Sequence, residues 1–410
     1  MKLTNVVLVE GDYKTLEELA KITNGLWNKA LYLVKEKWRH EHKFAFYAEL
    51  CSRLKDDQLY NLLPSQTAQA VLQKLDGALR AYIKLRRNGR VARIPGYHRP
   101  KTAWIVPYKA QQIKCEDDAL KLTLSEAYRK EKGLRWLTLK TYGRWHDGEV
   151  KYLELYPRNG RWFASRVVEV KEPPLTETNG EVSVDLGIVN LAATWNGEDA
   201  EIYKGGAVNS VLRYRNKEQA KLQGDLAAHG EKTSKKRREL CRRTTAQARH
   251  AIHSLTKTLV EKAAREQKGI VVGDLTGILD QKRGRTNQKL HQWMYRLMLS
   301  QLGYKCRLAG VPFRTRSERN TSRTCVACGV KHRGGRVHRG LYRCKLHGQY
   351  NADCGAAYNM NENVSPSPLL KGSGIGVVAA LAQPAVVLWN GHRWLPRDET
   401  NPLNREEPTL

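Results

Sequence analysis

The sequence lacks a long apolar segment. Its longest apolar stretch, residues 375–389, is broken by Gln383 and Pro384 and is too short to span a bilayer. The first residues have no signal-peptide core, and the chain contains neither an internal repeat nor a low-complexity tract. These absences argue against a membrane-spanning, a secreted or a repeat protein. They predict a cytoplasmic location.

Acidic residues are scarce relative to basic ones. The 71 Lys and Arg outnumber the 41 Asp and Glu, so the formal net charge is +30. A field of that size attracts polyanions, and affinity for nucleic acid is built from many basic contacts with phosphates. An anionic membrane surface is the weaker alternative, because neither terminus carries a basic amphipathic anchor or a polybasic tail. Nucleic acid is therefore the predicted partner.

The eight cysteines do not resemble a disulfide framework. Half of them are dispersed along the chain and the other half cluster near its C-terminal end, which is typical of metal binding in a reducing compartment. The dispersed residues are Cys51, Cys115, Cys241 and Cys306, and the clustered residues are Cys325, Cys328, Cys344 and Cys354.

The N-terminal half changes pattern twice. Residues 2–9 alternate like a strand, whereas apolar residues recur at steps of three or four from Tyr13 to about Leu85 and predict helices. Over residues 91–172, short aliphatic and aromatic segments alternate with turn residues. That pattern predicts an antiparallel, barrel-like β domain, and the first strand can belong to it, which would make the helical block an insertion.

A linker with two prolines at 173–174 precedes the C-terminal half. Strand-like segments there alternate with long basic helical ones and predict an α/β layer, including a strand over Cys306–Arg314. The last 45 or so residues contain several Pro and Gly and are predicted to be peripheral. The predicted fold class is α+β and multidomain.

The clustered cysteines have the spacing of a zinc ribbon. Cys325 and Cys328 form one pair, and fifteen residues separate them from the pair Cys344 and His347. Four such ligands give closed tetrahedral coordination, so the predicted Zn²⁺ is structural. His347 is the least certain ligand, and His332 or His338 can replace it. Coincidental placement of the four residues is the alternative.

Two aspartates stand at positions that suit a metal site. Asp185 ends an alternating apolar segment just before Gly187, and Asp353 begins a predicted helix. Carboxylates from distant parts of a chain bind hard divalent cations when the fold brings them together. Taken singly, Asp185 can equally be a turn residue and Asp353 an ordinary helix N-cap.

The C-terminal half resembles the TnpB proteins of transposons and the compact type V CRISPR effectors related to them. Val184-Asp-Leu-Gly-Ile188 resembles the first RuvC motif, and Asn351-Ala-Asp-Cys-Gly-Ala-Ala-Tyr-Asn359 resembles the third. Thr321-Ser-Arg-Thr-Cys-Val-Ala-Cys-Gly329 is similar to their zinc knuckle. Order and spacing match throughout this half, whereas the N-terminal half is similar in architecture more than in motif.

The second RuvC motif departs from the family pattern. Members carry a Glu at the end of a buried strand, but the sequence here is Ile270-Val-Val-Gly-Asp-Leu275, with Gly273 in the catalytic place. Asp274 is a poor substitute, because neighbouring strand residues point to opposite faces. Glu318 is the candidate replacement, and relocation to this stretch is similar to what Fanzor proteins and some TnpB lineages show. A surface Glu paired with Arg316 or Arg319 is the alternative, and Asp280 is a remoter candidate.

The resemblance implies a domain arrangement. It comprises an oligonucleotide-binding β-barrel (WED-like) at 1–10 and 88–175, containing a helical (REC-like) domain at 11–87. An RNase H-like (RuvC) domain follows at 176–320 and 350–365, with the zinc ribbon inserted at 321–349 and a C-terminal tail at 366–410.

The resemblance also implies a prokaryotic, RNA-guided DNA endonuclease. Asp185, Glu318 and Asp353 would hold two Mg²⁺ ions, and a guide RNA and double-stranded target DNA would be the partners. Thirteen basic and aromatic residues are candidates for contacting nucleic acid, although each basic residue alone can be a solvated surface group. They are Lys84, Arg86, Arg87, Arg90, Trp104, Tyr108, Lys235, Lys236, Arg237, Arg238, Arg242, Arg243 and Arg249.

Two other functional classes fit part of the sequence. A nuclease-dead, RNA-guided DNA-binding protein that represses transcription is expected if Glu318 does not replace the missing Glu. A DNA-joining transposase with its own acidic triad fits the basic charge but not the position of the ribbon.

Overall fold

The chain folds into two units, Met1–Lys171 and Glu172–Leu410. A computed structural model describes residues 1–116, 118–158, 160–276, 287–338, 340–361 and 373–400. In these ranges, no helix is both long enough and apolar enough to cross a membrane.

The first unit is built on a seven-stranded antiparallel sheet. Its order is β2-β6-β7-β1-β5-β4-β3, so the N-terminal strand β1 lies in the middle, between β7 and β5. Side chains alternate between a buried and a solvated face, as is typical of such sheets. The strands are β1 (Lys2–Gly11), β2 (Val106–Lys109), β3 (Ile113–Glu116), β4 (Ala119–Thr123), β5 (Trp136–Tyr142), β6 (Glu149–Arg158) and β7 (Arg161–Glu169).

Four helices are inserted between β1 and β2. The first and longest begins where the Asp12 side chain accepts a hydrogen bond from the Thr15 N–H and ends at His42 in the left-handed conformation. Its buried face packs against the fourth helix and joins one core with the sheet. The helices are α1 (Tyr13–Glu41), α2 (Tyr47–Leu54), α3 (Gln58–Asn61) and α4 (Ser65–Arg87).

The first unit also contains two elements that the sequence analysis missed. Strand β3 is only four residues long and mostly exposed, so it has no apolar alternation to reveal it. Helix α5 (Glu126–Lys132) begins at Ser125, whose hydroxyl accepts from the Tyr128 N–H, and ends at Gly133 in the left-handed conformation. Those two caps were a readable signal.

The second unit is built on a mixed seven-stranded sheet of order β12-β11-β8-β9-β10-β16-β17. Strands β8, β9 and β10 form an antiparallel meander, and β11 and then β12 add in parallel beside β8. The run Ile270-Val-Val272 of β11 is buried on both faces, as a central parallel strand requires. The strands are β8 (Glu181–Leu186), β9 (Asn190–Trp195), β10 (Ala200–Lys204), β11 (Gly269–Asp274), β12 (Phe313–Ser317), β16 (Ala385–Trp389) and β17 (Trp394–Pro396).

Helices cover both faces of this sheet. The long α7 and α9 share one core with Val184 and Val272, whereas α10 shares the opposite core with Ala193 and the ribbon. The helices are α6 (Gly206–Ala228), α7 (Lys235–Arg265), α8 (Asn287–Gln292), α9 (Tyr295–Ala309), α10 (Ala352–Met360) and α11 (Ser373–Ala382).

The strand predicted over Cys306–Arg314 is wrong in its first half. Helix α9 continues to Ala309 because Met298, Leu302 and Cys306 recur at steps of four and are all fully buried. Gly310 ends the helix in the left-handed conformation, and β12 begins only at Phe313.

Two strands of the C-terminal segment are less peripheral than the sequence analysis predicted. Strand β16 pairs in parallel with β10, and β17 pairs with β16. Val387 and Trp394 are buried in the same core as α7, and the Trp394 indole N–H donates to the Ala251 carbonyl. The segment therefore completes the sheet, although the Pro and Gly around it are typical of a tail.

A small three-stranded antiparallel sheet precedes α10. It consists of β13 (Arg336–His338), β14 (Leu341–Cys344) and β15 (Gly348–Asn351). Stacked Tyr342 and Tyr350 fill its interior, and the Tyr350 hydroxyl accepts from the Val326 N–H.

Candidate functional site

The three predicted carboxylates come from three different elements of the second unit. Asp185 is the fifth residue of β8, at the point where the strand gives way to a tight turn. A Cβ on Gly187 would lie 2.5 Å from the Asn190 carbonyl oxygen, so the turn closes only with glycine there. The turn brings Asn190, the first residue of β9, back towards the end of β8.

Glu318 occupies the space that a side chain at position 273 would fill. An ideal Cβ built on Gly273 would lie 1.9 Å from Glu318 Oε1 and 2.5 Å from both Cγ and Cδ. The β12 register explains the approach, since Gly273 is directly opposite Arg316 and Glu318 follows two residues later. Strand β11 in turn lies beside β8, with Val272 opposite Val184. The carboxylate therefore lies over the strand where the sequence lacks one.

Two protein donors hold the Asp353 carboxylate. The buried Asn190 amide donates to Oδ2 at 2.8 Å, and the Arg336 guanidinium donates to Oδ1 at 3.2 Å. Asp353 is not the cap of α10. Asn351 fills that position and accepts from the N–H groups of Asp353 and Cys354, which leaves the Asp353 side chain to the site.

The three carboxylates influence one another electrostatically. Burial raises the pKa of Asp185 well above its ordinary value, the charges of Glu318 and Asp353 raise it further, and Arg336 opposes them. Burial, with a smaller contribution from Asp274, raises the pKa of Glu318 to about 7. Such shifts mark a cluster of negative charge that a cation would stabilise.

Glu318 also has an unused hydrogen-bonding atom. Its Oε1 is buried and accepts from no group in the described part of the chain. Arg316 donates instead to the Met360 carbonyl, so it does not neutralise Glu318. A buried carboxylate oxygen without a partner is the donor that a hard divalent cation requires.

Of the alternative acids, Asp274 is bonded elsewhere. Asp274 is exposed and accepts from the N–H and hydroxyl of Thr276, which lowers its pKa. Asp280 lies outside the described residues. Glu318 is therefore the third carboxylate that the described structure brings to Asp185 and Asp353.

The ribbon contains a second, tighter cluster of donors. The ligand atoms of Cys325, Cys328, His332 and Cys344 all lie within 4.8 Å of one another. Within the described residues, this is the group of His, Cys, Asp and Glu whose ligand atoms all lie that close together. The ligand atoms of Asp185, Glu318 and Asp353 are therefore farther apart than 4.8 Å in at least one pair. Three thiols and an imidazole suit Zn²⁺.

Two histidines lie near these thiols, and the grouping of ligand atoms favours His332 over His347, which the sequence analysis preferred. His332 Nε2 lies 3.4 Å from Cys328 Sγ and 3.7 Å from Cys344 Sγ and completes the group. His347 Nδ1 approaches the same two sulfurs, at 3.2 and 3.4 Å, but is not in the group. His338 is on the exposed strand β13 and receives the Gly340 N–H.

We expect His332→Ala to weaken zinc binding by more than tenfold and His347→Ala to weaken it less. The reason is that the ligand atom of His332 lies within 4.8 Å of all three thiol sulfurs, whereas His347 is not in that group. Competition with a chromophoric chelator measures both affinities, and Co²⁺ absorption reports whether the Cys₃His set survives. A larger loss with His347→Ala would restore the original assignment.

Most of the predicted nucleic-acid residues are exposed. The four at the end of α4 and after it are solvated, and those of α7 lie on its outer face, away from the buried Leu240, Thr244 and Ala248. Arg242 is partly neutralised by Glu239 three residues earlier. Arg237 is half-buried and donates to the Lys232 carbonyl. The exposed residues are Lys84, Arg86, Arg87, Arg90, Lys235, Lys236, Arg238, Arg242, Arg243 and Arg249.

The predicted stacking role of Tyr108 is wrong. Its side chain is 0% exposed, because β2 turns this residue towards the core of the first unit. Trp104 is half-buried and already contacts the rings of Trp27 and His98. Tyr108 therefore presents no free face for base stacking, whereas the role of Trp104 stays a prediction.

Sequence reasoning missed Asn190 and Arg336. Asn190 lies five residues after Asp185, and its position at the end of the glycine turn was a local signal. Arg336 lies in the ribbon, and only the packing of the ribbon against α10 brings it to Asp353, so no local pattern could identify it.

Comparison with known proteins follows the same division of the chain. Residues 165–278 match the OrfB_IS605 family model, described as "Probable transposase", and residues 295–360 match the "Cas12f1-like, TNB domain". The chain is related to the TnpB proteins and compact type V effectors. The resemblance inferred from the motifs is thus confirmed.

A curated relative agrees with this relationship. The "Putative RNA-guided DNA endonuclease" of Streptomyces pristinaespiralis is 28% identical over 223 residues, which cover 52% of this chain and 51% of that protein. The chain therefore spans about half the length of the curated relative that it matches.

Solved structures extend the likeness in fold. A Cas12f1–sgRNA–target DNA complex matches with a TM-score of 0.61 and 15% identity, over 87% of this chain and 83% of the other. The "mini-RNA-guided endonuclease CRISPR-Cas_phi3" matches at 11% identity with a TM-score of 0.43, over 94% and 93%. The first of these supports a shared multidomain α+β fold, and the second is too distant to support an argument.

Proposed function

We propose that the protein is an RNA-guided DNA endonuclease whose acidic site is formed by Asp185, Glu318 and Asp353. The observation that carries the proposal is the placement of Glu318 over Gly273. A strand that lacks its family carboxylate is compensated by another carboxylate in the same space. Glycine at position 273 leaves the room that the Glu318 side chain occupies.

The architecture supports the proposal. An antiparallel meander of β8, β9 and β10 with parallel β11 and β12 beside β8 is the strand arrangement of an RNase H-like domain, and we assign it as RuvC. We assign residues 321–349 as the inserted ribbon, the sheet of the first unit as the WED-like domain and residues 11–87 as the REC-like insertion. A fold alone does not establish an activity, so the proposed nuclease activity depends on the three carboxylates of the site.

In this proposal the chain's own residues prepare the site. Asp185 and Glu318 supply carboxylates whose pKa values are raised by burial. Burial destabilises their charged forms, and a bound cation would stabilise those forms. Asn190 fixes the orientation of the Asp353 carboxylate, and Arg336 neutralises part of its charge. Two Mg²⁺ ions held by the three carboxylates would supply an activated water and stabilise the departing oxygen of an in-line displacement.

The partners follow from charge and family. The net charge of +30 and the exposed basic faces of α4 and α7 support binding of guide RNA and double-stranded DNA. Sequence selection would rest on base pairing with the guide, plus a short flanking motif read in the duplex. Sequencing the RNA that copurifies with the protein would identify the guide, and guided cleavage of a matched target in Mg²⁺ or Mn²⁺ tests the activity.

A guided binder without nuclease activity is the second candidate. Its support is the spacing of the three carboxylates, which is wider than that of the ribbon ligands. Binding of a matched target without cleavage in either metal ion would favour this function over the first.

The raised pKa of Glu318 predicts a pH-dependent stability. The pKa is about 7 in the folded protein against an ordinary 4.5, so the folded state binds more protons between these values. Stability without divalent ions should therefore fall as pH rises from about 5 to 8, and we expect the melting temperature to drop by about 2–4 °C from this group.

Calorimetry of wild type and Glu318→Gln isolates the contribution. The difference between the two melting temperatures should grow in favour of the variant as pH rises, and Mg²⁺ should reduce it at pH 8. A difference that is independent of pH would show that Glu318 is not buried in the way that its raised pKa requires.

A further inference from the structure

The first unit contains a buried arginine that has no counter-charge among the described residues. Arg166 lies on β7, in register with Asn5 of β1 and Leu153 of β6, and its side chain is only 6% exposed. Its neighbours on the same face of the strand, Ala164 and Val168, belong to the apolar interior. No carboxylate of the described residues pairs with it. A charge in such a place is costly unless an anion accompanies it.

Arg166 makes three contacts within the described residues, and none of them is with an anion. One terminal nitrogen is 3.6 Å from Cys115 Sγ, another donates to the His146 carbonyl, and the guanidinium carbon lies 4.4 Å from the centre of the Trp145 ring. In the part of the chain that the structure describes, Arg166 Nε has no partner, and neither do the buried Trp145 Nε1 and Asn5 Oδ1. Two N–H donors, one of them on a cation, therefore remain unsatisfied around one guanidinium.

A short loop covers this guanidinium. Residues 143–148 connect β5 to β6 and contribute both the Trp145 ring and the His146 carbonyl. The loop is bounded by Gly143 and Gly148, whose φ values of 126° and 141° favour glycine. The cover is thus one carbonyl and one ring between two glycines, and the ring also packs against the core of the first unit.

We propose that Arg166 binds a phosphodiester group of single-stranded RNA, with the 143–148 loop moving aside to admit it. The planar guanidinium offers paired N–H donors that match phosphate oxygens, and phosphate is the anion that this buried charge lacks. Trp145, released from Arg166, presents an indole ring and its free N–H to the adjacent nucleotide. The identity of the polyanion rests on the proposed guided function, whereas the phosphate site does not.

RNA-binding measurements with Arg166→Met test the site. We expect about tenfold weaker binding of the copurifying RNA, with the slope of log K against log salt shallower by about 0.7, as for the loss of one phosphate contact. The melting temperature of the free protein should rise, because methionine removes the buried charge and keeps most of the volume. Arg166→Lys keeps the positive charge but not the paired N–H donors of the guanidinium, so we expect RNA affinity between those of wild type and Arg166→Met.

Lys130→Met is the matched control. This lysine is in the same unit, 77% exposed at its side chain and paired with Glu126, so the variant removes one positive charge from the surface. We expect its affinity and salt slope to stay close to wild type. Unchanged affinity and slope in Arg166→Met, with a raised melting temperature, would overturn the proposal and leave Arg166 as an internal charge only.

Inorganic tripolyphosphate separates this inference from the guided function. Titration should change the tryptophan fluorescence of wild type but not that of Trp145→Phe or Arg166→Met. A wild-type protein that binds no RNA yet shows this response would refute the guided function and keep the phosphate site. No response in wild type would refute the site, even if RNA binding is intact.

Discussion

Gly273→Ala is expected to abolish target cleavage while leaving the fold intact. The new Cβ would lie 1.9 Å from Glu318 Oε1, so the Glu318 carboxylate must leave its place. The displaced atoms end a flexible side chain, so the backbone need not move. Loss of a metal-binding carboxylate removes several kcal/mol of transition-state stabilisation, or roughly 10³-fold in rate. Single-turnover cleavage of a matched target measures the loss.

Two further variants make this test specific. Gly269→Ala is on the same strand, but its Cβ would meet neighbours only at 3.4 Å or more, so activity should stay near wild type. The double variant Gly273→Glu with Glu318→Gly returns a carboxylate to the family position and should cleave faster than either single variant. Full activity in Gly273→Ala would show that Glu318 does not act from this space.

Glu318→Gln is expected to lower cleavage by a similar factor of roughly 10³ and to spare target binding. The amide keeps the shape of the side chain but has only one neutral oxygen to offer a cation. Binding should persist because the basic faces that attract nucleic acid are unchanged. Cleavage and filter-binding assays on the same preparation separate the two effects.

Asp274→Asn is the matched control for charge. Asp274 is the neighbouring carboxylate that raises the pKa of Glu318, but it is exposed and bonded to Thr276. Its variant should keep cleavage within a fewfold of wild type and should shift the pH profile slightly towards acid. Unchanged cleavage by Glu318→Gln would remove Glu318 from the proposed site.

Local patterns in the sequence predicted most of the elements. Apolar spacing identified α1 and α4, and β11 was readable as a buried strand from Ile270-Val-Val272. Spacing failed where an element has little burial of its own, as in β3, or where a helix carries β-like composition, as at Cys306 in α9. The pairing of β16 with β10 is a long-range contact, which the Pro and Gly near these residues conceal.

The candidate site was predictable only in part. Asp185 and Asp353 could be chosen from motifs, and Glu318 from the gap at Gly273. The reason that Glu318 fits is tertiary, since it depends on the β11–β12 register and on the absence of a Cβ at Gly273. The role of Tyr108 failed for a similar reason: composition shows that an aromatic residue is present, but not which face of a strand it occupies.

The ribbon and the acidic cluster cannot be engineered as separable modules. Glu318 stands at the entrance to the ribbon, Arg336 projects from it to Asp353, and Asn359 of α10 donates to the Thr321 and Thr324 carbonyls at its base. A shortened derivative without the ribbon would lose the segment that follows and anchors Glu318. It would also lose the Arg336 guanidinium that holds the Asp353 carboxylate. Miniaturisation of this chain should therefore begin elsewhere.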